Sequence, residues 1–372
     1  IFISISTMTF HQNYLLLLIL ILCVSCVRTP NSPENSDFIT GENGVFILCE
    51  GLWGSDNATI SRFDFSNGII INQYFRKANP ELRIGDTASD LEIKGDTAFV
   101  SVSTSSTIEV FSKINGKSIG RIFLPQNSMP RDIVIINDTI GYVTLLFKNQ
   151  IAKFNPKTLT YSGETIDVGP FPEGATRLGN YLYVANSGYG DFFHYAPKAG
   201  SLSVVDINNS KEFKSIFCGK NLIEVVANAK YNRIYAAYYN LPSLPDSLGG
   251  IVEIDAATHQ ITRHWRTRPT DITLSPSMDT LYFLQGNTDA ISGVFFIPLN
   301  KSFAQIEQKI INKNPNSIWY SLAISPDASL VLVGNAKRFT SNGELLIFKN
   351  NFDSIPIKTY PVGVNPNKIV FF

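Results

Sequence analysis

The chain has 372 residues, 44% of them hydrophobic and 17% charged, which is enough apolar content to bury a core and too much for a disordered chain. Its 31 Lys and Arg equal its 31 Asp and Glu. Without a basic excess or a Lys/Arg run, the composition argues against nucleic acid as a partner.

The first 26 residues read as an export signal. An apolar run from Tyr14 to Val24 is too short to span a bilayer and suits a signal-peptide core. Residues 27–42 are polar and contain two prolines, the composition of a flexible tether. The remaining chain, 43–372, holds only Cys49 and Cys218, placed far apart in the repeat described next, so no disulfide is expected.

From residue 44 onward, short apolar or alternating runs are separated by Gly, Asn, Asp and Pro. One segment, SFAQIEQKIIN (302–312), has spacing that suits a short helix or an irregular strand. The other runs repeat. A Pro or polar residue, an acid and an apolar strand recur at ASDLEI (88), PRDIVI (130), PEGATRL (172), LIEVVA (222), PTDITL (269), YSLAIS (320) and PNKIVFF (366). The first six are each followed by a tight turn and a second strand such as AFVSV or YLYVAN, then by third and fourth strands. Four strands in about 45 residues is the pattern of a propeller blade. The expected fold is all-β: a seven-bladed β-propeller of four-stranded antiparallel blades. The chain enters at GVFILCEG, a second-strand sequence, and ends on an orphan first strand, NKIVFF. The C-terminal strand is therefore expected to complete the first blade and close the ring, which removes an exposed edge.

Joins between first and second strands are short, whereas joins between second and third strands vary. The longest, NSGYGDFFHYAPKAG (186–200), carries five rings. These loops and the inter-blade links share one face of a propeller, and length gathered on one face of a rigid scaffold makes binding sites. That face is expected to carry Trp53, Tyr189, Phe192, Phe193, His194, Tyr195 and Arg338 from the loops. The links are expected to add Arg83, Arg131, Phe171, Arg268, Trp319 and Tyr320. Aromatic rings with a few Arg are the groups that ligand pockets and interface hot spots use.

Asp90, Asp132, Glu224 and Asp271 recur at the starts of first strands, where they would ring the central channel, with Leu322 and Lys368 in two corresponding places. The arrangement is open to a cation site with oxygen ligands or to the acid cluster of a hydrolase. It is equally open to acids that accept hydrogen bonds from the backbone of their own blade link. Only four His exist, of which His194 alone falls on the loop face, and no HExxH, G-x-S-x-G or Cys/His cluster appears. The sequence thus favours binding over catalysis and calls for no cofactor. Asp-Thr or Asp-Ser followed by Ala, Ile or Leu at 86, 96, 138, 246, 279 and 353 resembles the O-glycosylation sequon of Bacteroides-type bacteria, and also suits a tight turn entering a strand.

Three resemblances add to this reading. Ser25–Cys26 is similar to the lipobox of bacterial lipoproteins, which implies lipidation of Cys26. LYVAN (182–186) and the VG-x-x-P phrasing at 168–172 and 362–366 resemble the YVTN/YncE-like propellers. CEGLWGSDNATISRFD (49–64) and GDTASDLEI (85–93) resemble a narrower group, surface lipoproteins of Bacteroides-type bacteria encoded near TonB-dependent transporters, some of which bind cobalamin. The resemblance implies an outer-membrane protein, held by a lipid anchor on the surface or the periplasmic side. It would capture a small nutrient, a corrinoid in particular, for a TonB-dependent transporter. A protein- or glycan-binding scaffold and a lactonase-like hydrolase are the alternatives.

Overall fold

The computed structural model describes residues 43–239, 241, 243–244, 248–286, 292–301 and 303–372. The signal segment, the tether and Cys26 lie outside the described residues, as do parts of the loops at 240–247 and 287–291.

Seven antiparallel four-stranded sheets follow one another along the chain. Blade one contains β1 (Gly44–Cys49), β2 (Thr59–Asp64) and the short β3 (Ile69–Ile71), with a fourth strand from the C-terminus. Blade two contains β4 (Ala88–Lys94), β5 (Thr97–Val102), β6 (Thr107–Ser112) and β7 (Ser118–Phe123). Blade three contains β8 (Pro130–Ile135), β9 (Gly141–Leu145), β10 (Gln150–Asn155) and β11 (Thr160–Asp167). Blade four contains β12 (Pro172–Leu178), β13 (Tyr181–Asn186), β14 (Ser201–Asp206) and β15 (Lys211–Phe217). Blade five contains β16 (Leu222–Asn228), β17 (Arg233–Tyr238), β18 (Gly250–Asp255) and β19 (Gln260–Arg266). Blade six contains β20 (Pro269–Leu274), β21 (Thr280–Gln285), β22 (Ser292–Pro298) and β23 (Glu307–Asn312). Blade seven contains β24 (Trp319–Ile324), β25 (Leu330–Asn335), β26 (Asn342–Lys349) and β27 (Lys358–Val364). The last strand, β28 (Pro366–Phe371), returns to blade one and pairs with β1, with Val45 opposite Phe371 and Ile47 opposite Ile369. The ring is closed as the orphan strand implied. Of the ambiguous segment 302–312, residues Glu307–Asn312 form strand β23.

The burial pattern follows from blades packing face to face. Second strands are covered on both sides and are buried almost throughout, as in β1 and β9. They read as unbroken apolar runs for that reason. Fourth strands lie at the rim and alternate, as in β15. The core is divided among the blade interfaces; Tyr183 and Leu202 of blade four, for example, pack on Ile234 and Val252 of blade five. Each such buried side chain stabilises by roughly 1.5–3 kcal/mol.

The interface between blades one and two is aromatic. Phe46 packs edge-on against Phe111 and tilted against Tyr74 and Phe372. Tyr74 belongs to a short helix, α1 (Tyr74–Ala78), which the strand pattern does not announce. The Tyr74 hydroxyl donates to the carbonyl of Ile114, and Lys117 Nζ donates to that of Ala78, so α1 bridges the two blades. Cys49 and Cys218 are both buried and free, in blades one and four. Burial pushes each thiol up to about 12.

Candidate functional site

First strands begin on the loop face and run down the channel. A cavity of about 500 Å³ occupies its centre, lined by carboxyl groups of Asp90, Glu92, Asp132, Glu173, Glu224 and Asp271 and by Arg131, Arg177 and Lys368. Six acids against three cations make the channel acidic.

The structure corrects two expectations about the acid ring. Asp90, Asp132 and Asp271 accept backbone hydrogen bonds from the neighbouring blade rather than from their own blade link. Asp90 Oδ2 accepts from Ile133 N at 3.0 Å, Asp271 Oδ2 from Leu322 N at 2.6 Å, and Asp132 from the N–H of Ala175. Hydroxyls extend the pattern: Thr144 Oγ1 accepts from Asp132 N and donates to the carbonyl of Glu173. Ser321, not Leu322, stands in the place of Asp90, because a bulge pairs Ser321 with Gly334 as it pairs Asp90 with Ser101. In blade four that place falls to Gly174, where a Cβ would lie 2.6 Å from the Ile223 carbonyl oxygen, so no acid fits. Among the described residues no group of three or more His, Cys, Asp or Glu is placed to hold a metal, and Asp90, Asp132, Glu224 and Asp271 form none.

Lys368, carried by the closing strand, sits among these acids with its Nζ 2.8 Å from Asp90 Oδ1. Burial opposes its charge, but Asp90, Asp132 and Glu224 overcome that and hold it well above the ordinary lysine range. Burial raises Asp132, Glu224 and Asp271, and in each case a neighbouring carboxylate adds to the rise while Lys368 opposes it. Glu92 is raised to about 7 by burial and by the charge of Asp90.

The loop-side mouth is a hydrogen-bonded ring. Arg131 Nε donates to Glu173 Oε2 at 2.7 Å, and its Nη1 donates to Ser89 Oγ at 2.9 Å. Tyr320 donates to Glu50 Oε2 at 3.2 Å and is packed edge-on by Phe339. Tyr239 donates to the carbonyl of Thr270. Burial raises Glu50, Tyr239 and Tyr320.

Beside this mouth lies a stack of rings. Phe171, one residue before β12, is sandwiched between Tyr189 at 5.3 Å and Phe193 at 4.9 Å between centroids, with Phe147 edge-on to Phe171 and Tyr189. Phe192 packs on Tyr189 and remains 69% exposed; Tyr195 is 73% exposed. Phe171 and Tyr189 both have φ of +55°, a costly backbone region for a bulky side chain. Side chains hold them there: Asn149 Oδ1 accepts from Phe171 N, and Ser187 Oγ accepts from Tyr189 N while donating to the Phe171 carbonyl. Ser187 Oγ is also 3.5 Å from Glu173 Oε1, which joins the stack to the mouth. The crowded loop in the sequence is thus partly self-packed and partly presented. Asp191 anchors it to the next loop by accepting from Ser243.

The other candidates lie elsewhere. Trp319 does not reach the loop face: it is 7% exposed, donates to Ser317 Oγ and packs on Phe348 in the core between blades six and seven. Trp53 is 81% exposed on a turn over blade one. Arg83 pairs with Asp56 at 3.2 Å, and Arg338 donates to Asn316. Arg268 is half-buried ahead of β20. His194 is half-buried, its Nδ1 3.2 Å from the Asp191 carbonyl. His259 and His264 lie at the outer strands and are lowered by burial. Five groups at the site escaped the sequence reading: Glu50, Glu92, Phe147, Glu173 and Tyr239. Glu92 is two residues from Asp90 on one strand face, and Glu173 stands in β12 where Arg131 stands in β8; aligning the repeats position by position would have exposed both.

A closed ring of seven four-stranded blades, with a polar mouth and an aromatic stack on one face, defines the protein as a β-propeller built on a binding-type scaffold. The chain matches the family described as a domain of unknown function, DUF5074, over residues 43–325, and it belongs to that family. No curated protein matches it. Among solved structures it is similar to a quinoprotein alcohol dehydrogenase-like protein from Bacteroides thetaiotaomicron, with 14% identity, TM-score 0.67 and coverage of 89% of this chain and 78% of that one. It is also similar to candidate 6-phosphogluconolactonases from Bacteroides uniformis (11% identity, TM-score 0.62, 89% and 99% covered) and Bacteroides fragilis (14%, 0.60, 90% and 99%). At these identities the likeness concerns the fold alone.

Proposed function

We propose that this propeller captures a small organic nutrient on its loop face and passes it to a TonB-dependent outer-membrane transporter, with a corrinoid as the nutrient. The observation that carries this reading is the Phe171 stack, held in a costly backbone conformation and joined through Ser187 to the mouth at Glu173 and Arg131. A rigid flat apolar surface beside mixed donors and acceptors suits a broad, amide-rimmed macrocycle, which would rest on the face rather than enter a cavity of about 500 Å³. The two stretches that carry the cobalamin-group resemblance meet each other on the loop face: Asp86 Oδ2 accepts from Gly54 N at 2.9 Å, and the Glu50 carbonyl accepts from Ala88 N. Lipidation at Cys26 would tether the propeller to the outer membrane.

The test is calorimetric titration of the purified protein with cyanocobalamin. Saturable binding weakened more than about tenfold by Phe171→Ala supports the reading. No binding at about 1 mM ligand overturns the corrinoid and moves the protein- or glycan-binding scaffold to first place. A lactonase-like hydrolase rests on one observation, the placement of Glu92 in the channel near neutrality, where a carboxylate can act as a general base. Turnover of 6-phosphogluconolactone lost in Glu92→Gln would favour it.

A further inference from the structure

A second cavity, of about 360 Å³, opens on the loop face where blades seven and one meet, and it shares no lining residue with the channel. Three segments line it, 56–60, 72–76 and 362–364, together with Arg83 and Asn342, and the apolar Ile60, Phe75 and Ile84 are part of that lining. Gly363 has no room for a side chain there, since a Cβ would lie 2.1 Å from Thr59 Oγ1.

The chemistry is specific. Four side-chain amides, on Asn57, Asn72, Gln73 and Asn342, line a space at the small end of ligand sites; Asn72 is already bonded to Ser61 and the Pro361 carbonyl and Asn57 Oδ1 to Leu52 N, so the amides of Gln73 and Asn342 are the ones turned to a ligand. Amides offer both donors and acceptors, the pairing that hydroxyl groups require. Of the charges, Asp56 is matched by Arg83 at 3.2 Å. Arg76 Nη1 donates to the Leu82 carbonyl at 3.0 Å, and among the described residues no carboxylate pairs with Arg76. One guanidinium is therefore left in excess, which suits a single carboxylate rather than a doubly charged group.

Trp53 lies on the turn that leads into the segment 56–60 of this lining. Its turn is fixed on two sides: Asn57 Oδ1 accepts from Leu52 N at 2.8 Å, and Asp86 accepts from Gly54 N. An indole this exposed on a pinned turn presents a flat face to solvent at low entropy cost, and pyranose rings pack their C–H faces on such surfaces.

We propose that this crevice binds a hexuronate, with Arg76 holding the carboxylate, the amides holding ring hydroxyls and Trp53 covering the sugar face. The site is separate from the channel mouth and stands whether or not a corrinoid binds there.

Saturation-transfer NMR on the purified protein, with D-glucuronate and D-glucose as probes and inorganic phosphate as a competitor of glucuronate, decides it. Glucuronate is expected to bind saturably, with glucose and phosphate each at least about fivefold weaker. Arg76→Gln should weaken glucuronate about tenfold, the worth of one charge-assisted contact, and leave glucose unchanged. Because Arg76 also braces the Leu82 carbonyl, Asn342→Ala provides a second variant at the rim, expected to weaken glucuronate with the melting temperature retained. A uronate tetrasaccharide that binds more tightly than the monomer places the ligand in a polysaccharide, and equal affinity makes it the free sugar acid; both uphold the site. Equal binding of glucose and glucuronate, preference for phosphate, no effect of either variant, or no signal at about 50 mM overturns the proposal.

Discussion

Replacing Glu92 with Gln should stabilise the protein at alkaline pH and leave it unchanged in acid. Glu92 lines the channel two residues along β4 from Asp90. Burial raises its titration, the Asp90 charge raises it further and Lys368 opposes both; the result is a rise from 4.5 to about 7. Between those values the folded protein binds more protons at this group than the unfolded chain does. Stability therefore falls as pH rises through that window, and the full cost is present above the folded value. At about 1.4 kcal/mol per pH unit, the span from 4.5 to about 7 corresponds to roughly 3 kcal/mol. Attraction to Lys368 is lost along with the charge and solvent reaches part of the group, so a gain of ~2 kcal/mol is expected. For a domain of this size that is about 2–4 °C in melting temperature. Thermal unfolding followed by intrinsic fluorescence, for both proteins at about pH 4 and about pH 8.5, gives the answer. A variant no more stable than the wild type at the higher pH, or equally stabilised at both, would refute the reasoning.

The wild type itself should lose stability as pH rises through the Glu92 span, from 4.5 to about 7, since Asp132, Glu224 and Asp271 are raised in the same direction as Glu92. Lys368→Met removes the 2.8 Å partner of Asp90 and should cost about 3 kcal/mol in urea denaturation at neutral pH, and less in acid, where the raised Asp132 and Glu224 give up the charges that Lys368 faces. Deleting 366–372 removes β28, exposes the edge of β1 and takes Ile369 and Phe371 from the interface with blade seven; light scattering should report self-association. Native Cys49 and Cys218 should resist iodoacetamide at neutral pH and react once urea unfolds the protein, as peptide mass spectrometry would show.

The propeller was legible because its physics repeats. Each blade imposes the same demand, an unbroken apolar second strand after a tight turn, and runs such as AFVSV and YLYVAN meet it at regular intervals. Even the missing strand of blade one was legible, since NKIVFF had no partner of its own. The site was legible only by residue type. Trp319 and Tyr320 are adjacent, and alternation along β24 sends one ring into the core and the other toward the channel mouth. The bulge that puts Ser321 rather than Leu322 beside the acids leaves no mark in the sequence pattern. The helix α1 was hidden because five residues are too few to establish a helical period. The pairing of Glu50 with Tyr320, 270 positions apart, exists only once the ring closes.

The central claim is that ligand capture occurs on the loop face, at the mouth and the Phe171 stack. Hydrogen–deuterium exchange of the purified protein, with and without saturating cyanocobalamin, tests it most directly. The account predicts slowed exchange in 50–58, 171–173, 187–195 and 318–320, with the opposite-face turns at 95–97, 137–139 and 179–180 unchanged. Protection confined to those turns, or none anywhere under saturating ligand, would contradict it.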